Sequence, residues 1–169
     1  MKYGFPPISR QDARVLILGS LPGEESLSRQ QYYAHRSNRF WWIMGELIGA
    51  SPNLPYEARL ERLKDSRIAL WDVCAAAIRP GSLDASILPV SVQANDFPVF
   101  FSRHPALQLI CFNGNAAGAL FRRKIRLGVD VRTQQLPSTS PAHATMPAEQ
   151  KLAAWRAALG DFIQSAKPS

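Results

Sequence analysis

Four short segments hold most of the side chains able to do chemistry. Gly19-Ser20-Leu21-Pro22-Gly23 follows an apolar run. Gln31-Tyr32-Tyr33-Ala34-His35 and Asn38-Arg39-Phe40-Trp41 come next, and Ser138-Thr139-Ser140-Pro141-Ala142 lies near the C-terminus. Asn38 carries an amide that accepts and donates at once, though it is a poor general base. It equally suits the cap of the helix that begins there. Ser138 and Ser140 suit phosphate oxygens through hydroxyls and loop N–H groups, and a serine-rich turn beside Pro141 explains them as well. The common nucleotide signatures are excluded. Residues 19–23 lack the Gly-Lys-Ser/Thr continuation of an ATPase phosphate loop, residues 114–118 lack Gly-x-Gly-x-x-Gly, and there is no Gly-x-Ser-x-Gly elbow. No His or Cys pair has zinc-ligand spacing, and two cysteines, Cys74 and Cys111, are too few for an iron–sulfur cluster. Their apolar surroundings predict buried free thiols, and no metal is expected.

The elements that must position these residues follow from hydrophobic pattern. Residues 15–18 read as a buried strand feeding the 19–23 loop. Apolar residues at 40, 41, 44, 47 and 48 mark one face of a helix over 38–48. Pro55 opens a helix over 56–64. Residues 68–73 predict a second strand, with a small-residue loop through Pro80-Gly81-Ser82. A helix over 94–103 and a third strand over 107–112 follow. Asn113-Gly114 turns into a helix ending near Lys124, and 129–136 is a weaker fourth strand. Pro147 starts a last helix whose stripe is Leu152, Trp155, Leu159, Phe162 and Ile163. Strands alternating with helices predict an α/β fold: a three-layer α/β/α domain over residues 1–169 around a mostly parallel four-stranded sheet. Ligands gather at the carboxyl ends of such strands, so chemistry belongs in the loops after 18, 73, 112 and 136.

The chain has 169 residues, 46% of them apolar, enough for a core without metal or disulfide staples. Twenty Lys and Arg against thirteen Asp and Glu leave +7, which favours a polyanionic partner, nucleic acid ahead of an anionic membrane. A solubility charge is the plainer reading. The N-terminus lacks the apolar core of a signal peptide, and no apolar run approaches a membrane span. A cytoplasmic protein with no membrane partner is expected. Arg122-Arg123-Lys124 with Arg126 reads as solvated surface behind a helix.

The four segments, in this order and spacing, resemble the uracil-DNA glycosylase superfamily, and within it the hypoxanthine-DNA (deoxyinosine) glycosylases. The resemblance covers most of the chain. It implies a monomeric enzyme without metal or redox cofactor that flips a damaged nucleotide from DNA and hydrolyses its N-glycosidic bond by water attack. Relatives that remove uracil carry Asp or Asn where this chain has Leu21, which cannot hold a water. The resemblance moves that task to Asn38, with Ser20 beside it in catalysis. Tyr33, twelve residues after Leu21, is implied to stack on the flipped base, and Tyr32 is the better core candidate. Phe40 and Trp41 are assigned to packing. Asp72 falls within a residue of the position that reads the base edge, with a turn carboxylate as the alternative. Gly19 and Leu21 would shape the floor against the base. Pro22, Gly23, Arg36, Arg39, Ser138, Ser140 and Pro141 would contact DNA. Ser138 replaces the catalytic His of the uracil branch. Ala142 and His143 fill the place of the residue that wedges into the vacated stack, where Ala is too small and His143 could serve. No direct role is assigned to Asn113 or Asn115. The alternatives are a uracil or thymine mismatch glycosylase, a small-nucleotide hydrolase, or a catalytically silent nucleic-acid-binding domain of this fold.

Overall fold

The computed structural model describes residues 1–128, 130–142 and 145–166. In chain order the elements are β1 (Lys2–Tyr3), β2 (Val15–Gly19), α1 (Glu24–Arg29), α2 (Phe40–Ile48), α3 (Tyr56–Asp65), β3 (Ile68–Asp72) and β4 (Cys74–Ala77). They continue with β5 (Gln93–Ala94), α4 (Phe97–Arg103), β6 (Leu109–Asn113), α5 (Asn115–Lys124), β7 (Arg132–Leu136) and α6 (Ala148–Ala166). The central sheet runs β3-β2-β6-β7, and all its strands are parallel.

Every residue of β2, β3 and β6 is buried, because helices cover both faces and each strand must be apolar on both sides. Side chains alternate between two cores. Val15, Ile17, Ile68, Leu70, Leu109 and Cys111 pack with apolar residues of α2, α3 and α6. Leu16, Leu18, Ala69, Trp71, Ile110 and Phe112 pack with those of α4 and α5. The three-layer α/β/α architecture expected from the sequence is the one found. The α6 stripe is buried throughout, with Trp155 and Leu159 at 0% exposure. Cys74 and Cys111 are buried free thiols, pushed up to about 12 chiefly by burial. Among the described residues no helix is long and apolar enough to cross a membrane.

Local boundaries differ from the sequence reading in several places, among them the helix expected over 38–48, which starts at Phe40. The expected helix over 94–103 starts only at Phe97, where Asp96 caps it by accepting from Val99 N–H (3.2 Å). Residues 93–94 are strand β5 instead. The loop expected after residue 73 begins with a strand, β4, paired antiparallel with β1 and β5 in a second small sheet. Cys74-Ala75-Ala76-Ala77 gives no alternation to read, and its partners are two residues long. The third strand starts at Leu109, because Leu107 N–H closes a turn onto the His104 carbonyl (3.1 Å). The fourth strand is confined to β7, and Val129 lies outside the described residues. β7 is a sheet edge with its first four residues exposed, hence its weak apolar pattern.

Candidate active site

Four parallel strands end at Gly19, Asp72, Asn113 and Leu136, so the loops that follow them meet along one edge of the sheet. They surround a cleft of about 450 Å³, within the range of small-ligand pockets. Gly19, Ser20, Leu21, Pro22, Gly23, Tyr33, Asn38, Asp72, Ser138, Ser140 and Pro141 all line it. The structure therefore brings together most of the residues singled out from sequence. Arg36 and Arg39 do not line the cleft. They are exposed on the segment flanking Asn38, and the Arg39 guanidinium lies over the Trp42 ring (5.9 Å). His143 lies outside the described residues. The basic run over 122–126 lies at the far end of α5 from Asn115 and Ala116, which line the cleft.

The floor is built by a close approach. Gly19 pairs in register with Asp72 across β2 and β3. A Cβ at Gly19 would stand 2.5 Å from Asp72 Oδ1 and 2.9 Å from the Tyr33 hydroxyl, so only glycine lets these groups converge. Asp72 is 4% exposed, and neither its Oδ2 nor the Tyr33 hydroxyl has a hydrogen-bond partner among the described residues. A turn carboxylate would be bonded to nearby N–H groups, so the alternative reading of Asp72 does not describe it. Burial first, then the neighbouring Asp84 charge, push the Asp72 carboxyl up to about 7, with Arg79 opposing. Burial and Asp72 also raise the Tyr33 phenol, while the Asn113 side chain pulls the other way.

Tyr33 adopts φ +54°, a conformation uncommon for a non-glycine residue. The two adjacent rings lie 6.4 Å apart, centroid to centroid, and make different contacts. Tyr32 is 3% exposed and donates its hydroxyl to the Pro6 carbonyl (2.9 Å). Tyr33 instead stacks on Phe40 (centroids 4.2 Å, planes 29° apart) at the cleft wall. Phe40 and Trp41 are core residues, as the helical spacing predicts.

Asn38 serves two ends. Its Oδ1 accepts from Phe40 N–H (2.9 Å) just before α2, so the capping contact exists, although Arg39 occupies the cap position itself. A backbone N–H bonds only to an acceptor, which fixes the amide with Oδ1 toward the helix and Nδ2 unused by it. The late loop is held to the same wall. Asn113 Nδ2 donates to Thr139 Oγ1 (3.0 Å), Thr139 N–H donates to Asn113 Oδ1 (3.0 Å), and Arg39 N–H donates to the Thr139 carbonyl (2.9 Å). Ser138 Oγ accepts from Ser140 N–H (3.1 Å), and Ser140 Oγ from Ala142 N–H (3.2 Å). This is the serine-rich turn, and both hydroxyl hydrogens remain available to a ligand.

On the opposite wall sequence reasoning passed over Asp84 and Arg79. Ser20 Oγ donates to Asp84 Oδ1 (2.5 Å), and Asp84 also lines the cleft. The residue is exposed as a whole, but its carboxyl turns inward to Ser20 and is pushed up by burial, with Ser20 and Arg79 opposing. Arg79, 2% exposed, donates to the carbonyls of Gly81 (2.7 Å), Leu21 (3.2 Å) and Pro22 (2.7 Å), clamping the 19–23 loop to the 79–84 loop. The one available signal was position: both residues follow the second strand, where ligand loops are expected. Among the described residues no group of three or more His, Cys, Asp or Glu is placed to hold a metal ion.

Comparison with known proteins gives the family. Residues 6–162 match the family model of the Uracil DNA glycosylase superfamily. A Methanosarcina acetivorans protein named hypoxanthine DNA glycosylase is 42% identical over 144 residues, 85% of this chain and 89% of that one. A Methanosarcina barkeri protein of the same name is 42% identical over 118 residues, 69% and 73% of the two chains. A solution NMR structure of a protein from M. acetivorans, assigned as a uracil DNA glycosylase, superposes with a TM-score of 0.81 at 39% identity. It covers 95% of this chain and 98% of its own. By sequence and by fold, the chain belongs to the uracil DNA glycosylase superfamily.

Proposed function

We propose that this protein is a DNA glycosylase that releases hypoxanthine from deoxyinosine by water attack, without a covalent enzyme intermediate. The observation that carries the reading is the convergence of Asn38, Tyr33 and Asp72 in one cleft of flipped-base size. Relatives at 42% identity bear the name hypoxanthine DNA glycosylase, which supports the choice of base. A base inside the stack is out of reach, so the nucleotide must be turned out into the cleft. The face of Tyr33 opposite Phe40 stacks on the base, a contact worth about 1–3 kcal/mol. Asp72 meets the base edge at the floor, where Gly19 leaves room. Asn38 holds the attacking water through the second lone pair of Oδ1, while Nδ2 donates to the substrate. As water adds to C1′, the C1′–N9 bond breaks, its electron pair leaves on the purine, and the proton the water loses ends on the released base. Ser138 and Ser140 hold backbone phosphates with their hydroxyl hydrogens, and Arg36 and Arg39 add charge beside them. Ser20 acts by fixing Asp84.

The test is alkali-induced strand cleavage of labelled duplexes carrying one deoxyinosine or one deoxyuridine, with wild type and Asn38→Ala in parallel. Hypoxanthine release that is lost in the variant while DNA binding persists supports the reading. Release of uracil alone moves the protein to another branch of the superfamily. Tight binding with no release of either base leaves a DNA-binding domain instead.

A further inference from the structure

We propose that the amino-terminal edge of the central sheet, opposite the cleft, is a second nucleic-acid face that holds the phosphate backbone of a separate DNA duplex. The proposal goes beyond base release and takes from the glycosylase reading only that the partner is DNA. The cleft itself offers little attraction for a polyanion. Glu24, Glu25, Asp72 and Asp84 line it, and among the described residues no Lys or Arg does. The chain nevertheless carries +7, so its pull on phosphate acts from other surfaces.

The opposite edge carries an ordered row of cations. Arg14 N–H donates to the Arg67 carbonyl (2.8 Å), Gln108 N–H to the Arg14 carbonyl (2.8 Å), and Arg132 N–H to the Gln108 carbonyl (3.2 Å). Arginines thus lead into β3, β2 and β7 side by side, on strands about 4.8 Å from their neighbours. Arg14 and Arg132 both set the guanidinium over the Phe162 ring (5.3 and 5.9 Å), so one aromatic on α6 orders two of them. On the other face of the sheet α5 ends in Arg123 and Lys124, and Arg126 follows, all three exposed. Of the acids at this edge, Asp12 and Asp65 are bonded to Arg10, and Asp12 lies 3.6 Å from Arg67. Exposed Asp130 and Asp161 leave the row with a surplus of cations. Basic residues in the last turn of α5 also suit the negative end of that helix, but Arg126 and the row across the strands lie outside it. Guanidiniums fixed in a row suit a rigid polyanion of regular charge, and a duplex carries one charge per about 1.7 Å of its axis. The 5 residues of β2 set this row about 17 Å from the cleft floor. A duplex stays straight over about 150 bp, so DNA seated in the cleft does not fold back to this edge, and the row takes another segment.

The experiment mixes wild type at low salt with two short undamaged duplexes, one carrying a donor dye and the other an acceptor. Energy transfer between the duplexes is expected, with sedimentation giving one chain per bridged pair. The variant Arg123→Gln/Arg126→Gln/Arg132→Gln should lose the transfer, and a thermal melt checks that it is folded. Arg132→Gln alone should lower the slope of log affinity for the second duplex against log salt by about 1. Single-turnover release from one short deoxyinosine duplex at saturating enzyme should stay within about twofold of wild type in the triple variant. No transfer with wild type overturns the proposal, as does transfer that the triple variant keeps. Two chains per bridged pair overturn it as well, since two clefts would then suffice. A variant whose base release falls with its transfer shows that these side chains serve the cleft, which also overturns it. Phosphatidylserine vesicles form a separate arm, and wild type that binds them while bridging no duplexes overturns the assignment to DNA. If wild type releases no base, the glycosylase reading fails, and energy transfer alone decides the second face.

Discussion

The two walls of the cleft are held by different physics. The wall made by Asn38, Tyr33 and the late loop is tied by neutral groups: the Asn113–Thr139 pair, Arg39 N–H on the Thr139 carbonyl, and Phe40 N–H on Asn38. The wall made by Ser20, Asp72, Arg79 and Asp84 is ionisable, with two carboxyls raised chiefly by burial, the Asp84 charge adding to the rise at Asp72, and one buried guanidinium between loops. Neutral amide contacts keep the same geometry at any working pH. Charged contacts in a poorly solvated site change strength with each proton gained or lost. The difference assigns placement of the reacting groups to the first wall, and pH response to the second.

The sharpest break of this comparison is at Asn38. Asn38→Ala should reduce base release by about 10²–10⁴-fold with DNA affinity retained, read by single-turnover cleavage. Next is Arg79→Met, which strands the carbonyls of Leu21 and Pro22 and removes the cation facing Asp84. Loss of about 3 kcal/mol in urea unfolding is expected. Asn113→Ala should cost less, about 1–3 kcal/mol, because it leaves the N–H and hydroxyl of one buried Thr139 unpaired. Its loss should be the same at pH 5 and pH 8, and a marked pH dependence there would erase the contrast between the walls.

The last effect is a slope. The Asp72 carboxyl titrates at about 7 when folded against an ordinary 3.8, so the folded chain binds that proton more tightly. Its contribution to stability is whole below the ordinary value, falls as pH rises toward 7, and is gone above. Asp72→Asn removes the fall. The stability of the variant relative to wild type should therefore grow across that window and level off beyond it, as melts over a pH series would register.

The sheet was legible because buried parallel strands are apolar on both faces, so 15–18 and 68–73 could be read without partners. The tyrosine pair was legible in outcome but not in cause: sequence gives two adjacent aromatics, while the positive φ at Tyr33 is a property of the folded loop. Asp72 reached the cleft because a strand ends there, and Tyr33 and Asn38 because the segment between α1 and α2 runs along it. Asp84 and Arg79 were illegible for a different reason. Their roles come from Ser20 Oγ and from the carbonyls of Leu21 and Pro22, each more than fifty residues away, and no spacing rule links such pairs. The small sheet of β1, β4 and β5 escaped because strands of two residues have no period.

Thr139 joins three segments distant in sequence, and Arg79 joins two more, so the cleft is assembled before any ligand enters. A receptor that cannot yield leaves the work of distortion to its guest. Selection of a lesion then depends on how cheaply each base pair comes apart as well as on the contacts waiting inside. A weakly paired deaminated purine enters such a mould more readily than a sound one. On this view the protein reads damage first as a mechanical weakness of the duplex and only afterwards as a chemical outline.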